Sequence, residues 1–466
     1  MSRTFECSRL ILAAVPLLAL IGCSHVPHSV DPPQLKVQAR FTNDKKEDAE
    51  GEPSIRTLSV DWWAAYGDPR LNALVSKALE RNAELKAARA RVDEAMAATR
   101  RARASLLPSL STGAQASRGR DYAQNIAIGN DGRATLSASW EADLSGRLSN
   151  AAEGARLDAV AAEQSWAATR WQIAFETVSA AVQQRQADEL GALATARLES
   201  AERLVLLTQR KFEAGQATGF DLERTRAGVV AVRVEQEQLR RARGEATHAL
   251  DVLVGQTPGT SAATPALASL AVPDWTPSRI PAELLRERPD VRAAEARFAA
   301  ETARWNAAEG ERFPKLVLDL SGGRQRLESA GTRITGNIFS LGAGVSLPIF
   351  DGGAIRAGIE TGEARSKAAR AELERTLLSA LQDVENAYLG WNAQRGALTH
   401  QAEGLAVAER QLDRSRLLFE AGQVDATVVA EAEAGVLSAQ AELTRTRAEA
   451  AVQWGVLAKA LSGSPI

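Results

Sequence analysis

Few side chains in this sequence could do chemistry, and none stands in a catalytic arrangement. Nucleophiles and metal ligands are scarce: two cysteines, Cys7 and Cys23, and four histidines, His25, His28, His248 and His400. His248 and His400 have no Cys or His at ligand spacing, so surface or interhelical packing is expected of them, not metal binding. Neither a G-x-S-x-G elbow nor a phosphate-binding P-loop occurs. Gly342-Ala343-Gly344 is a fragment of a dinucleotide fingerprint that lacks the third glycine and falls inside a strand-like run. What remains is Gly215 and Gly422, each interrupting a helical pattern and each followed by an acidic residue, Asp221 and Asp425. Such glycines cap helices. A carboxylate there can cap the returning helix. Repeated around an axis, it would instead repel its copies and attract cations. A chain so equipped supplies no energy of its own and no enzyme chemistry; it can contribute a path and a gate.

The amino terminus is a targeting segment. Arg3 and Arg9 precede the apolar run Ile11 to Leu20, which is too short to span a bilayer comfortably. The run ends in Leu20-Ile21-Gly22-Cys23, which resembles the bacterial lipobox. That resemblance implies a lipoprotein signal peptide over 1–22 and an N-acyl, diacylglycerol-bearing Cys23, palmitate among its acyl chains. Ser24, where some lipoproteins carry Asp, implies sorting to the outer membrane. No other cofactor is expected. With Cys7 discarded, no disulfide can form. Residues 23–65 then read as a lipid tether and N-terminal segment that carries His25 and His28, and its charged stretch 43–50 as a solvated linker. No other stretch reaches roughly 18 consecutive apolar residues, so any membrane crossing must use strands.

Composition points to helices. Charged residues nearly balance, 56 Lys plus Arg against 58 Asp plus Glu, which excludes the basic excess of a nucleic-acid binder. Aromatics are 5% of a chain of 466 residues, and Ala, Glu, Arg, Gln and Leu dominate long stretches. The chain is also a duplication. FEAGQ at 212–216 returns at 419–423, Pro108 matches Pro314, and Gly146 matches Gly352. The units are read as 66–256 and 280–466, joined by a Pro/Ser/Thr/Ala-rich segment at 257–279. In each, a leading helix (68–107 or 281–312) ends at a proline and precedes two short strand-like runs. A very long helix (147–214 or 354–421), the interrupting glycine and a shorter returning helix follow.

The strand runs alternate. Ala134, Leu136, Ala138, Trp140, Ala142 and Leu144 share one face, with polar residues between them, over the length of a tilted transmembrane strand. Phe339, Leu341, Ala343, Val345, Leu347 and Ile349 form a second such face. Asn130-Asp131-Gly132 reads as the turn of the first hairpin, and 329–332 as that of the second. The long helix carries a heptad, Leu377, Val384, Trp391, Leu398, Leu405, Leu412 and Phe419, echoed by Leu198, Val205 and Phe212. Nearly seventy residues at 1.5 Å rise make a rod of about 100 Å. Four strands per chain cannot close a barrel, and open edges are excluded from lipid. A dimer, trimer or tetramer would each supply enough strands.

Several stretches resemble the TolC-like outer membrane factor family, in its NodT-type branch. They are DWWAAYGDPRLNALVSKALERNAEL at 61–85, RERPDVRAAEARFAAETARWNAAEGERFPKL at 286–316, SLPIFDGGAIRAGIE at 346–360 and the two FEAGQ tips. The resemblance covers nearly the whole mature chain and implies a mainly α protein with a small β part. The implied assembly is a homotrimer with a twelve-stranded β-barrel continuing into a twelve-helix periplasmic α-barrel. It implies an outer-membrane exit duct of a tripartite efflux system for small toxic compounds or drugs. Its implied partners are a periplasmic adaptor and an inner-membrane transporter of the resistance–nodulation–division class. The tips at Gly215 and Gly422 would dock the adaptor, and Asp425, with Asp221 in a comparable place, would form the periplasmic gate. Ala426-Thr427 departs from the aromatic and Leu usual there. A type I protein-secretion duct and a non-transporting scaffold or adhesin remain as alternatives.

Overall fold

Good helix formers, Ala, Glu, Arg, Gln and Leu, dominate long stretches of the chain. Its computed structural model, which describes residues 28–33, 61–121, 126–259, 272–273, 285, 287–329 and 331–461, is accordingly mainly helical. A 3-10 turn at Trp62–Tyr66 leads into α1 (Pro69–Arg81), α2 (Ala83–Ala104), β1 (Ser109–Asp121), β2 (Ile126–Ala142), α3 (Arg147–Glu213) and α4 (Gly219–Leu253). The second copy runs α5 (Pro289–Gly310), β3 (Lys315–Ser329), β4 (Thr332–Ser346), α6 (Ala354–Glu420) and α7 (Ala426–Leu461). The order of elements is the same in both halves, and α3 and α6 are each 67 residues long.

Three expectations are corrected. The leading helix of the first half is broken at Asn82, whose Oδ1 accepts from the N–H groups of Glu84 and Leu85 (2.8 and 3.0 Å). Its Nδ2 donates to the Leu253 carbonyl at 3.1 Å, so the side chain that restarts the helix also ties it to the end of α4. Asn130-Asp131-Gly132 is not a turn but lies inside β2, because ladders on both sides hold it: Asn130 opposes Arg118 and Glu328. Gln325 also donates to Asp131 at 2.9 Å. The strands are 13 to 17 residues long rather than short. They nevertheless stop at Ala142 and Ser346, so Leu144, Leu347 and Ile349 lie beyond them.

The chain divides into two compact units. The first holds the sheet, residues 28–33, and the parts of the helices within 90–163 and 293–375. Its four strands form one antiparallel sheet in the order β1-β2-β3-β4. The register places like with like across all four strands. Leu110, Ala138, Leu320 and Leu341 make one row, and Thr112, Leu136, Gly322 and Phe339 the next. Trp140, Leu318 and Ala343 continue the face, as do Ala142, Leu316 and Val345. The opposite face carries small polar rows such as Ser111, Ser137, Ser321 and Ser340. The apolar face is solvent-exposed in a single chain, with Phe339 and Leu341 at 75% and 73%. The repeated stretches after the sheet start the long helices. Asp143 accepts from the N–H groups of Leu148 and Ser149 (3.1 and 2.8 Å), and Asp351 from those of Gly353 and Ile355 (2.9 and 2.7 Å). Residues 28–33, expected in a free tether, lie against α5 and α6.

The second unit holds the described residues within 61–89, 164–292 and 376–461. The aromatic opening of the first repeat packs there on α7. Tyr66 meets Trp454 edge-on at 5.2 Å, Trp62 lies 6.1 Å from the same ring, and the Tyr66 hydroxyl donates to the Ala451 carbonyl at 2.7 Å. Along the heptad, Leu377, Val384, Trp391 and Leu412 are buried while Phe419, nearest the tip, is exposed. Leu412 shares an apolar cluster with Leu405, Ala432 and Val436.

Two sheet positions, Gly129 and Gly323, leave no room for a Cβ. A Cβ at Gly323 would run into the Ala134 carbonyl oxygen, whereas nothing lies within 4 Å of one at Gly342. Gly323→Ala is expected to destabilise the sheet by about 1–3 kcal/mol, the usual cost of overpacking, and Gly342→Ala to be near neutral. Thermal unfolding of the two variants followed by the strand signal checks this. Equal melting would refute the close approach.

Candidate functional site

The two glycines singled out in the sequence end α3 and α6 by one device. Gly215 has φ 72° and Gly422 φ 70°, left-handed values that glycine adopts without strain. The Gly215 N–H donates to the Phe212 carbonyl and that of Gln216 to Lys211 (3.0 and 2.8 Å). Gly422 and Gln423 repeat the pattern to Phe419 and Leu418, both at 2.9 Å. These paired bonds satisfy carbonyls that would otherwise be orphaned at a helix end. A Cβ at either glycine would meet nothing within 4 Å, so the constraint is the backbone angle, not crowding. Around them Phe212, Phe220, Leu417 and Phe419 stand exposed, Phe220 at 75%.

The acidic residues differ from one another. Asp425 is the N-cap of α7: its Oδ1 accepts from the Thr427 N–H at 2.8 Å, and its other oxygen takes the Lys211 ammonium at 2.5 Å. Lys211 also donates to the Thr427 hydroxyl at 3.0 Å. The Lys211 hydrogen bond, then that of Thr427, holds the carboxyl down to about 2. Asp221 does not hold the comparable place. The repeat offset puts Thr218 opposite Asp425, and Thr218 caps α4, its hydroxyl accepting from the Asp221 N–H at 3.2 Å. Asp221 closes the capping box by accepting from the Thr218 hydroxyl and N–H (2.7 and 3.0 Å), and these bonds lower its pKa.

Sequence reasoning missed the cations. Lys211 sits in the last turn of α3, and eight residues before it Arg203 pairs with Glu433 at 2.8 Å, eight residues after Asp425. Arg197 and Arg445 both reach Glu235 of α4 (2.5 and 2.9 Å). α3 and α7 are thus joined by ionic rungs, and the matched eight-residue spacing was the available signal. Missed too was Arg288 of the RERPDV stretch, 8% exposed. Its guanidinium binds Asp290 (2.7 and 3.1 Å), Asp383 (3.2 Å) and the Ala380 carbonyl (3.3 Å), fixing the start of α5 on α6. Cys23 lies outside the described residues. The tips and Asp425 share the second unit. No group of three or more His, Cys, Asp or Glu side chains suited to a metal ion occurs among the described residues.

Comparison with known proteins gives a consistent result. The sequence model of the family described as "Outer membrane efflux protein" matches residues 74–256 and 280–463. The chain is 28% identical to nodulation protein T of Rhizobium leguminosarum bv. trifolii, covering 94% of each sequence. It is 30% identical to the pyoverdine export outer membrane protein OpmQ of Pseudomonas aeruginosa, covering 86% of this chain and 87% of that one. Among solved structures it resembles the open-state MtrE outer membrane channel of Neisseria gonorrhoeae, with a TM-score of 0.80 and 26% identity over 95% and 98% of the two chains.

The geometry at Asp425 separates cap from charge. Asp425→Ala is expected to cost about 1 kcal/mol through loss of the N-cap, and Asp425→Asn, which can still cap, less. A carboxyl depressed on folding contributes stability above its unfolded pKa and loses it as pH falls through the folded value. The wild-type advantage over Asp425→Asn should therefore be full above about pH 4 and vanish near pH 2. Denaturation midpoints across that range check it, and a gap independent of pH would remove the Lys211 pair as its source.

Proposed function

The chain belongs to the outer membrane efflux protein family, and on that footing we propose that three copies close into a single exit duct for small toxic compounds. Membership makes it an outer-membrane efflux channel working with the other parts of a tripartite pump, and a transport protein rather than an enzyme. The observation that carries closure by several copies is the sheet. Its apolar face is continuous, while β1 and β4 are edge strands with no further neighbour among the described residues. Lipid admits no such edges. Three copies would give twelve strands, each β4 pairing with the next β1, with the apolar rows toward lipid and the serine and glycine rows toward the lumen. Dimer and tetramer satisfy the same rule, and the family likeness favours three.

Cys23, acylated after cleavage of residues 1–22, would anchor each copy to the outer membrane. The exposed apolar tips around Gly215 and Gly422 would dock the periplasmic adaptor, which connects to an inner-membrane transporter of the resistance–nodulation–division class. Asp425 would line the periplasmic constriction. Its Lys211 partner supports a ring of ion pairs rather than of bare carboxylates. The pyoverdine export named for one relative supports small-molecule cargo over secreted protein.

Deletion of the chain, with its adaptor and transporter retained, is expected to sensitise cells to some members of a toxic-compound panel. Unchanged tolerance throughout would favour the scaffold alternative, and loss of a secreted protein alone would favour the secretion duct. At the tips, Gly422→Trp should weaken crosslinking to the adaptor at normal assembly yield; equal loss of assembly would make the glycine purely structural. Asp425→Ala assemblies in planar bilayers should pass a larger single-channel current, or resist block by divalent cations. An unaltered current would take Asp425 out of the gate.

A further inference from the structure

The short amino-terminal stretch 28–33 meets a built receptor in the sheet-bearing unit. The His28 imidazole stacks on the Trp305 indole of α5, centroids 4.1 Å apart and planes 2° from parallel. The neighbouring Asn306 uses both ends of its amide: Oδ1 accepts the His28 N–H at 2.8 Å and Nδ2 donates to the His28 carbonyl at 3.2 Å. One turn on, Glu309 places a carboxylate oxygen 3.6 Å from His28 Nε2. From α6, Arg370 donates to the Asp31 carbonyl at 3.3 Å. With the strap in place Asn306 is 5% exposed, and the backbone of His28 satisfies both ends of its amide. Trp305 is itself fixed by α6, since a Cβ at Gly362 would lie 3.1 Å from Trp305 Cα. The receptor therefore exists only where α5 and α6 are packed together.

We propose that Trp305, Asn306, Glu309 and Arg370 form a docking site for the chain's own segment 28–33, and that this docking sets the height of the sheet in the bilayer. An amide that satisfies both backbone groups of one residue reproduces a β-ladder pair, and the ring stack selects an aromatic or imidazole side chain. The docking rests on the contacts alone; the height-setting rests on the acylation of Cys23. His28 lies five residues after Cys23, a reach of at most about 17 Å. Trp305 lies five residues before the end of α5, about 8 Å along it, and α5 leads directly to β3. An acyl group on Cys23 then reaches the helix-side margin of the apolar rows and little farther. The strap acts as a stop that keeps those rows level with the hydrocarbon.

Hydrogen exchange of the peptide spanning 25–31, which retains the His28 amide, read by mass spectrometry on the full chain in lipid nanodiscs, tests the docking. His28→Ala and Asn306→Ala should each speed its exchange at least tenfold. Peptides from α5 and α6 should stay at wild-type rates in His28→Ala, which alters only the strap. Wild-type rates for the strap itself in both variants would overturn the docking site. A Cys23→Ser chain should keep the protection; its loss there would mean that the lipid, not the receptor, holds the segment, and would overturn the proposal. Absence of acyl label on the wild-type chain with protection intact would overturn the height-setting alone, and leave the docking standing.

Discussion

A four-stranded antiparallel sheet leaves two rows of backbone N–H and C=O groups without partners, and this sheet has an apolar face as well. In water the face is costly; in lipid the edges are. Neither environment suits a single chain; the proposed assembly would satisfy both demands, with other copies pairing the edges and lipid covering the face. The rest of the chain follows from those demands. Behind each hairpin an aspartate, Asp143 or Asp351, starts the long helix that follows. The closely approached Gly323 brings β2 and β3 together within a copy, where no neighbour can help.

In the second unit, specificity passes from pattern to individual polar contacts. Single surface ion pairs contribute about 0–1 kcal/mol. The rungs from Lys211 to Asp425 and from Arg203 to Glu433 therefore do not hold α3 and α7 together by strength. The rungs fix which residues of the two helices face each other, while α7 is packed on α6 by apolar burial, as at Leu412 against Ala432 and Val436. Arg288 is different in kind. It is buried with its donors taken by two aspartates and a carbonyl, so removing a partner would leave a charge in a poorly hydrated place. Such a group ties the first turn of α5 to a particular turn of α6.

Much of this was legible in the sequence because it is periodic. Alternation gave the apolar face, the heptad gave the long helices, and the FEAGQ copies gave both glycine-capped ends within a residue. The failures were contacts between distant segments. Asn130-Asp131-Gly132 has turn chemistry, yet strands on both sides hold it extended, and a local rule cannot see a second neighbour. Asn82 breaks a helix whose pattern continues through it, because its amide is drawn to the end of α4. Lys211 is an ordinary last-turn lysine until α7 comes beside it. Asp221 and Asp425 looked equivalent because both follow a glycine closely; aligned by the repeat, Asp425 matches Thr218, and the two carboxylates do different work.

The duplication also makes the chain nearly, but not fully, symmetric with itself. In a closed ring of copies two kinds of seam would alternate, one within a chain between α3 and α7, the other between chains where α6 meets α4. The first carries the ionic rungs. At the second, the repeat offset puts Leu418 and Thr218 where Lys211 and Asp425 stand, and Arg410 and Arg226 where Arg203 and Glu433 stand. One rung is lost and the other becomes a pair of like charges. In such a ring the seams within a chain would be registered by ionic rungs, and the seams between chains would lack them.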